Sequence, residues 1–312
     1  MFRLSRQISR PIIDAGNNYF GAELYEYFRK EVVLLGDMIV AFDPPLICEE
    51  VKASLGNLFD EIALLPCGGQ GAVFRCTHRP SNQTVALKIY FTNQIQQRTQ
   101  REIDLMKRID NDALVRLVES GEIFIRNANC IFIATKFVQG NVLSNIIKQG
   151  KMGFPAVAKC GYDIAKAIQL LWAERIVHRD INPKNIMLTD KNSAVLIDLG
   201  VARHIDLDTL TAPGFSWGTI GYLSPEQARA VKQLSYKSDI FSLGITLQEC
   251  LAGYHPVNHR QDLLVNGGQV RTNTLQDKLP KPMADIIDAM LRYRTYERPQ
   301  FNDIFKILGS YI

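Results

Sequence analysis

The six cysteines of this 312-residue chain form no C-x-x-C pair, and the nearest two, Cys67 and Cys76, stand nine positions apart. The five histidines show no ligand-like spacing beside them. Structural zinc sites and disulfide frameworks need clustered ligands, so neither class fits, and scattered thiols suit a reducing, cytoplasmic setting. Long apolar runs are missing as well. The longest, Val32 to Phe42, is broken by Gly36 and Asp37, far short of the roughly 20 residues that span a bilayer, so no membrane partner is expected. Repeats and low-complexity tracts are absent, which excludes solenoids and linker-like segments. Charge of one sign is scarce too. A formal net charge of +4 is compatible with handling phosphate but too small to argue for nucleic acid.

What is present is enough to build a core: 46% of residues are hydrophobic. At ~150 residues per domain the length suggests two domains, or one large domain with an extension. Charge favours a boundary. Residues 1–57 carry 6 basic and 8 acidic residues, the remainder 30 and 24, so the parts differ in sign. The Arg-rich start, Met1 to Arg10, reads as a basic terminus. Phe20, Leu24, Tyr27, Phe28, Leu34, Leu35 and Met38 predict one or two helices over about 19–41, stopped by Pro44-Pro45.

From residue 60 the texture changes. Strands are expected at 62–65, 72–77, 84–91, 114–118, 122–126 and 130–137, interrupted by a helix over about 94–109. Beyond 140 the chain reads mostly helical. Strands first and helices later imply a β-rich lobe followed by an α-rich lobe, an α+β architecture. Val157, Ile164, Ala165, Ile168 and Leu171 give one apolar helix face. The stretch Ile240–Leu251 is apolar on nearly every side, so it should run through the middle of the second lobe.

Five polar constellations punctuate this pattern. Gly68, Gly69 and Gly71 sit between two strands, where backbone N–H groups can approach phosphate without a Cβ in the way. Lys88 ends the apolar run Val85-Ala86-Leu87 and needs an anionic partner, because an unpaired buried charge is costly. Glu102 lies on the inward stripe of the 94–109 helix and can supply it. His178-Arg179-Asp180-Ile-Asn182-Pro-Lys184-Asn185 is a dense polar loop between apolar segments. Asp198 leaves an apolar strand before Leu199-Gly200. The carboxylate at 198 and the amide at 185 suit a hard Mg²⁺ ion carrying phosphate oxygens, which frees Asp180 to accept a proton.

In this order and spacing, with Ser224-Pro225-Glu226 beyond, the set resembles the protein kinase signature over about residues 58–312, and its texture is similar to that of bacterial, eukaryotic-like Ser/Thr kinases. The resemblance implies a bilobal kinase domain, N-lobe about 58–138 and C-lobe about 139–312, behind a helical extension of residues 1–57. It implies ATP in the interlobe cleft. Leu65, Gly68, Gly69, Gln70, Gly71 and Val73 would cover the phosphates. Val73, Ala86 and Met187 would enclose the adenine. Thr135 would be the gatekeeper, with hinge hydrogen bonds from Lys136 to Val138. Lys88, paired with Glu102, would contact the phosphates. Asn185 and Asp198 would hold Mg²⁺, with Mn²⁺ as an alternative, and Asp180 would orient the substrate hydroxyl. The implied reaction is γ-phosphoryl transfer to Ser/Thr of protein substrates. An ATP-binding scaffold without transfer is the alternative reading.

The same resemblance assigns Glu226 to Arg298, Asp239 to anchoring the catalytic loop, and His178, Leu199, Met106 and Leu117 to an apolar spine. Thr219 is expected to touch substrate. Thr211 or Ser216 is expected to be autophosphorylated. Two departures stand out. Pro66 and Cys67 replace the start of the usual glycine pattern. Asn182 stands where Ser/Thr kinases carry lysine, and Lys184 two residues on is the cation that could compensate. Residues 1–57 carry no readable motif. Their apolar face must bury somewhere, against the β-rich lobe or as a contact to a second copy or a regulatory partner.

Overall fold

The computed structural model describes residues 45–65, 73–91, 103–104, 106–109, 111–199, 203–204 and 218–312. The helices expected over 19–41, the glycine turn 66–71, Glu102, Thr211 and Ser216 lie outside the described residues.

Strand alternation organises the first lobe. Five antiparallel strands, β1 (Phe59–Leu64), β2 (Val73–His78), β3 (Gln83–Phe91), β4 (Leu117–Ile125) and β5 (Ala128–Lys136), form one sheet in the order β1-β2-β3-β5-β4. Side chains on a strand point alternately to opposite faces. On β3, Val85, Leu87 and Ile89 therefore enter one buried cluster with Phe59, Phe74 and Phe132, while Ala86 and Lys88 face the other way. The runs expected at 114–118 and 122–126 overlap one strand, β4, which starts only at Leu117; Leu114 makes an isolated bridge to Leu196 instead. Ser120-Gly121 does not break β4, because Gly121 lies against the Phe132 ring, 2.8 Å from where a Cβ would sit. The missing side chain makes room for the neighbour.

A short helix, α1 (Cys48–Leu55), precedes the sheet and completes its buried cluster. Leu46, Val51 and Leu55 are at most 2% exposed and pack in that cluster. Arg126, in the β4–β5 turn, grips Glu50 with two hydrogen bonds of 2.6 and 2.7 Å and reaches the Pro45 carbonyl. The apolar core thus begins ahead of the first strand.

The second lobe is built on helices α3 (Phe154–Ala173) and α5 (Tyr236–Ala252), with the small helix α2 (Leu143–Ile147) leading in and α4 (Pro225–Ala228) between them. Helix α5 is buried at nearly every position from Lys237 to Leu251, as its continuous apolar run requires. A three-stranded sheet, β6 (Gly140–Val142), β8 (Ile186–Thr189) and β9 (Ala194–Leu196), lies at the junction of the lobes. One apolar cluster crosses that junction, joining Ile103, Met106, Ile131 and Ile133 to Leu196 and Leu199. Among the described residues no helix is long and apolar enough to cross a membrane.

Leu55→Ala tests whether α1 belongs to this core. Emptying a fully buried leucine site should lower unfolding free energy by about 2–5 kcal/mol in urea titrations. A loss below about 0.5 kcal/mol would show that the helix is only appended.

Candidate functional site

The loop after β7 (Ile176–Val177) owes its shape to one buried carboxylate. Asp239, fully buried in the first turn of α5, accepts the backbone N–H of His178 and of Arg179, each at 2.8 Å. Serving two successive N–H groups holds Arg179 at φ +72°, a left-handed conformation that non-glycine residues rarely adopt. The Arg179 carbonyl accepts from Gln227 Nε2 at 2.9 Å. Burial pushes the Asp239 carboxyl upward, opposed by His178 and Arg179. His178 Nδ1 accepts from the Asp180 N–H at 3.2 Å, so Nε2 carries the ring proton and donates it to the Asp198 carbonyl. One imidazole thus couples residues 180 and 198.

Asp180 emerges from this turn amid donors. Its Oδ1 accepts from Thr219 N (2.8 Å), Thr219 Oγ1 (2.6 Å) and Asn182 Nδ2 (2.9 Å). Its Oδ2 accepts from Asn185 Nδ2 at 2.8 Å. Asn182, 1% exposed, spends its amide on Asp180 and Thr219 and accepts from Lys184 N at 2.9 Å. The Lys184 side chain is exposed. Because Asn185 directs its NH₂ at Asp180, its Oδ1 is turned elsewhere.

Asp198 leaves β9 beside the same loop, and its Oδ2 stands 3.4 Å from Lys88 Nζ. Both side chains are about three-quarters buried, at 24% and 27% exposure. Hinge geometry divides the backbone donors. Lys136 N–H is spent on the Arg116 carbonyl and Phe137 N–H on the Thr84 carbonyl, leaving Val138 to offer the N–H there. Ala86 pairs directly with Thr135 across β3 and β5, Leu65 N–H bonds to Val73, and Met187 lies on β8.

A second constellation supports the first. Arg298 is fully buried and uses all five guanidinium donors: a bidentate grip on Glu226 (2.6 and 2.8 Å) and the carbonyls of Arg292, Lys237 and Tyr293. Burial pushes Glu226 up, but Arg298 and Ser238 outweigh it and hold the carboxyl below its ordinary value. Gly218 closes the assembly at φ +129°. A Cβ there would meet the Arg179 carbonyl at 2.5 Å.

This arrangement of lysine, aspartates and asparagines at the junction of a β-rich and an α-rich lobe has known counterparts. The family described as protein kinase domain matches residues 59–307. The chain belongs to the protein kinase family. A probable serine/threonine-protein kinase of Clostridium perfringens is 28% identical over 258 residues, 77% of this chain and 37% of that protein. Serine/threonine-protein kinase PknH of Mycobacterium bovis is 30% identical over 227 residues, 71% of this chain and 36% of PknH. Serine/threonine-protein kinase PknD of Mycobacterium tuberculosis is 33% identical over 201 residues, 62% of this chain and 30% of PknD. The kinase chain thus spans about a third of the length of the curated relatives it matches.

Against the sequence reading, the kinase structure brings Asp180, Asn182, Asn185, Asp198 and Lys88 together. The side chain of Lys184 points to none of the bonds just described. Thr219, expected to touch substrate, is hydrogen-bonded to Asp180 and Asn182. Gln227, Gln261 and His255 were missed. Gln261 holds Gly221 N–H (2.9 Å) and the Leu223 carbonyl (2.7 Å), and His255 Nε2 donates to the Gly221 carbonyl at 3.0 Å. A lone His or Gln carries no sequence signal for such a distant partner.

His255 makes the segment around Gly221 acid-sensitive. Burial, with His259 beside it, lowers its pKa from 6.5 to about 4, against the favourable Gly221 bond. The unfolded chain therefore binds a proton before the folded one does. The contribution of His255 is intact above pH 6.5 and falls as pH drops toward about 4, by up to about 3 kcal/mol. Urea unfolding across this range should show a shallower pH slope for His255→Gln than for the parent. Equal slopes would contradict the assignment.

Proposed function

We propose that this chain is an ATP- and Mg²⁺-dependent protein kinase that phosphorylates Ser/Thr hydroxyls of protein substrates and its own activation segment, about residues 201–223. The observation that carries the reading is the Asp180 carboxylate, fixed by Thr219, Asn182 and Asn185 beside the Lys88–Asp198 pair. The relatives named as serine/threonine kinases support it.

The donor set fits the metal. Asp198 and the Asn185 amide oxygen are hard ligands, and two protein ligands suit an ion that takes its other positions from phosphate oxygens and water. Among the described residues no group of three or more His, Cys, Asp or Glu could hold a metal ion alone. When bound, ATP supplies the phosphoryl group and the metal neutralises its developing charge.

The chain's own residues do the rest. Lys88 aligns the phosphates, with Glu102 assigned as its second partner. Oδ1 of Asp180 is taken by Thr219 and Asn182, whereas Oδ2 carries Asn185 alone, so Oδ2 takes the proton of the substrate hydroxyl as its oxygen bonds to phosphorus and ADP leaves. Asn182 acts as a clamp rather than a phosphate contact: its amide is already committed on both sides. Fixed donors and a fixed base supply positioning, which is most of what this reaction asks of a protein. Glu226, Arg298 and Gly218 hold the segment on which a peptide would lie.

We assign residues 58–312 to the kinase domain and residues 1–57 to a regulatory or self-association role, with α1 seating the extension on the β-rich lobe. A reducing, cytoplasmic setting rests on the thiols. Burial raises Cys76 and Cys160 to about 12, a range in which the thiolate needed for disulfide exchange is scarce.

Transfer of labelled γ-phosphate to generic protein substrates tests the reading. Asp180→Asn and Lys88→Met should each cut the rate by about 10²-fold or more, and phosphopeptide mapping should find phosphate within 201–223. Undiminished transfer in both variants would overturn the assignment.

A further inference from the structure

The end of α4 and residues 292–297 form an exposed surface outside the site described above. Val231, Tyr293 and Tyr296 are 46, 38 and 73% exposed, and Arg229, Lys232, Arg292 and Arg294 stand exposed beside them. The Arg229 guanidinium lies 5.0 Å from the centre of the Tyr293 ring, which joins the two stretches into one patch. That of Arg294 lies 6.0 Å from the centre of the Tyr296 ring and donates to its hydroxyl at 2.8 Å. Guanidinium groups are attracted to aromatic faces, so the rings help to hold the cations in place.

The patch is also held from beneath. Val231 N–H donates to the Glu226 carbonyl at 3.0 Å, and Arg298 donates to the Arg292 and Tyr293 carbonyls at 2.8 and 3.1 Å. Both halves therefore hang on the buried Glu226–Arg298 pair. A surface fixed before binding loses little freedom on association. Tyrosine and arginine are the residues enriched where protein surfaces meet.

Charge selects the partner. Glu297, 3.8 Å from Arg294, is the single acid in residues 229–232 and 292–297, so the two stretches carry a net +3. Arg229, Lys232 and Arg292 make no ion pair among the described residues. Residues 11–44 lie outside the described residues, and their composition is the complement: six acidic against two basic residues, a net −4, interspersed with Phe20, Leu24, Tyr27 and Phe28. They run into Pro45, and from there Leu46 and α1 close the apolar cluster of the β-rich lobe with their own side chains. A chain of 44 residues, half of it helical, can extend roughly 100 Å, several times the ~18 Å radius of gyration of a domain of this size. Tethering holds such a segment at an effective concentration near ~1 mM, so weak contacts suffice.

We propose that this patch docks residues 11–44 of the same chain. Their carboxylates meet the four cations, and their apolar side chains rest on Tyr293, Tyr296 and Val231. The contact seats the extension on the α-rich lobe, and it stands whether or not the chain transfers phosphate.

Carbodiimide coupling of the full-length chain provides the test, because it joins a lysine amine to a carboxylate in direct contact. Peptide mapping of monomeric chains should find Lys232 joined to an acid within 11–44. The double variant Arg229→Glu/Arg294→Glu should lower that yield by about tenfold, and so should about 0.5 M salt. Tyr296→Ser should lower it by about threefold, with melting curves confirming the fold of both variants. Tyr296 is largely exposed, so its variant holds the test if the double variant fails to fold. No link from Lys232 to 11–44 in the parent, an undiminished yield in a folded variant, or links found only between isotopically distinct copies would overturn the proposal.

Discussion

Asp239 places a carboxylate at zero exposure in the first turn of the most buried helix among the described residues. Removing a charge from water is expensive, and it is tolerated only where hydrogen bonds replace the lost solvation. Here the replacement comes from the N–H groups of His178 and Arg179. Two neighbouring amides can converge on one carboxylate only if the chain turns sharply. The turn appears as Arg179 at φ +72°, and that conformation costs about 1–3 kcal/mol by itself. The loop is therefore strained, and the buried helix holds the strain.

Dependence spreads outward from this anchor. The turn aims Asp180 at the junction of the lobes, where Asn182, Asn185 and Thr219 complete its hydrogen bonds. It also exposes the Arg179 carbonyl to Gln227, so α4 is docked by the same residue that the anchor deforms. A Cβ on Gly218 would then lie 2.5 Å from that carbonyl, so the position needs glycine. Ser238, next to the anchor, bonds Glu226, and Arg298 closes the circuit with the Lys237 carbonyl. Three consecutive residues of α5 thus hold the loop, the acidic partner and the buried arginine. On the other flank, His178 carries the link to the Asp198 carbonyl, and Asp198 meets Lys88 from the β-rich lobe. The lobes share an apolar cluster for adhesion and this polar chain for alignment.

Much of this was legible because it rests on local chemistry. The continuous apolar run of Ile240–Leu251 announced a helix buried all round, and the β-rich run over 84–91 announced a strand of the first lobe. The order of Lys88, Asp180, Asn185 and Asp198 singled out side chains that the fold brings close to one another. What escaped depends on partners far away in sequence. Ser120-Gly121 resembles a strand break until Phe132 is seen to need the space. The bond of Thr219 to Asp180, 39 residues earlier, had no local signal. His255, Gln227 and Gln261 carry single polar groups whose roles come from where α5 and its neighbours place them. Leu46 and Val51 gave no sign that they finish the core of the β-rich lobe, since a two-turn helix is too short for a clear periodic signal.

If the buried carboxylate governs the site, then Asp239→Asn, equal in shape but uncharged, is the most direct measurement. The account predicts a folded protein whose phosphoryl-transfer rate falls by about 10²-fold or more while nucleotide affinity changes by less than about threefold, because the loop loses its hold and Lys88 does not. Transfer within about threefold of the parent would contradict it.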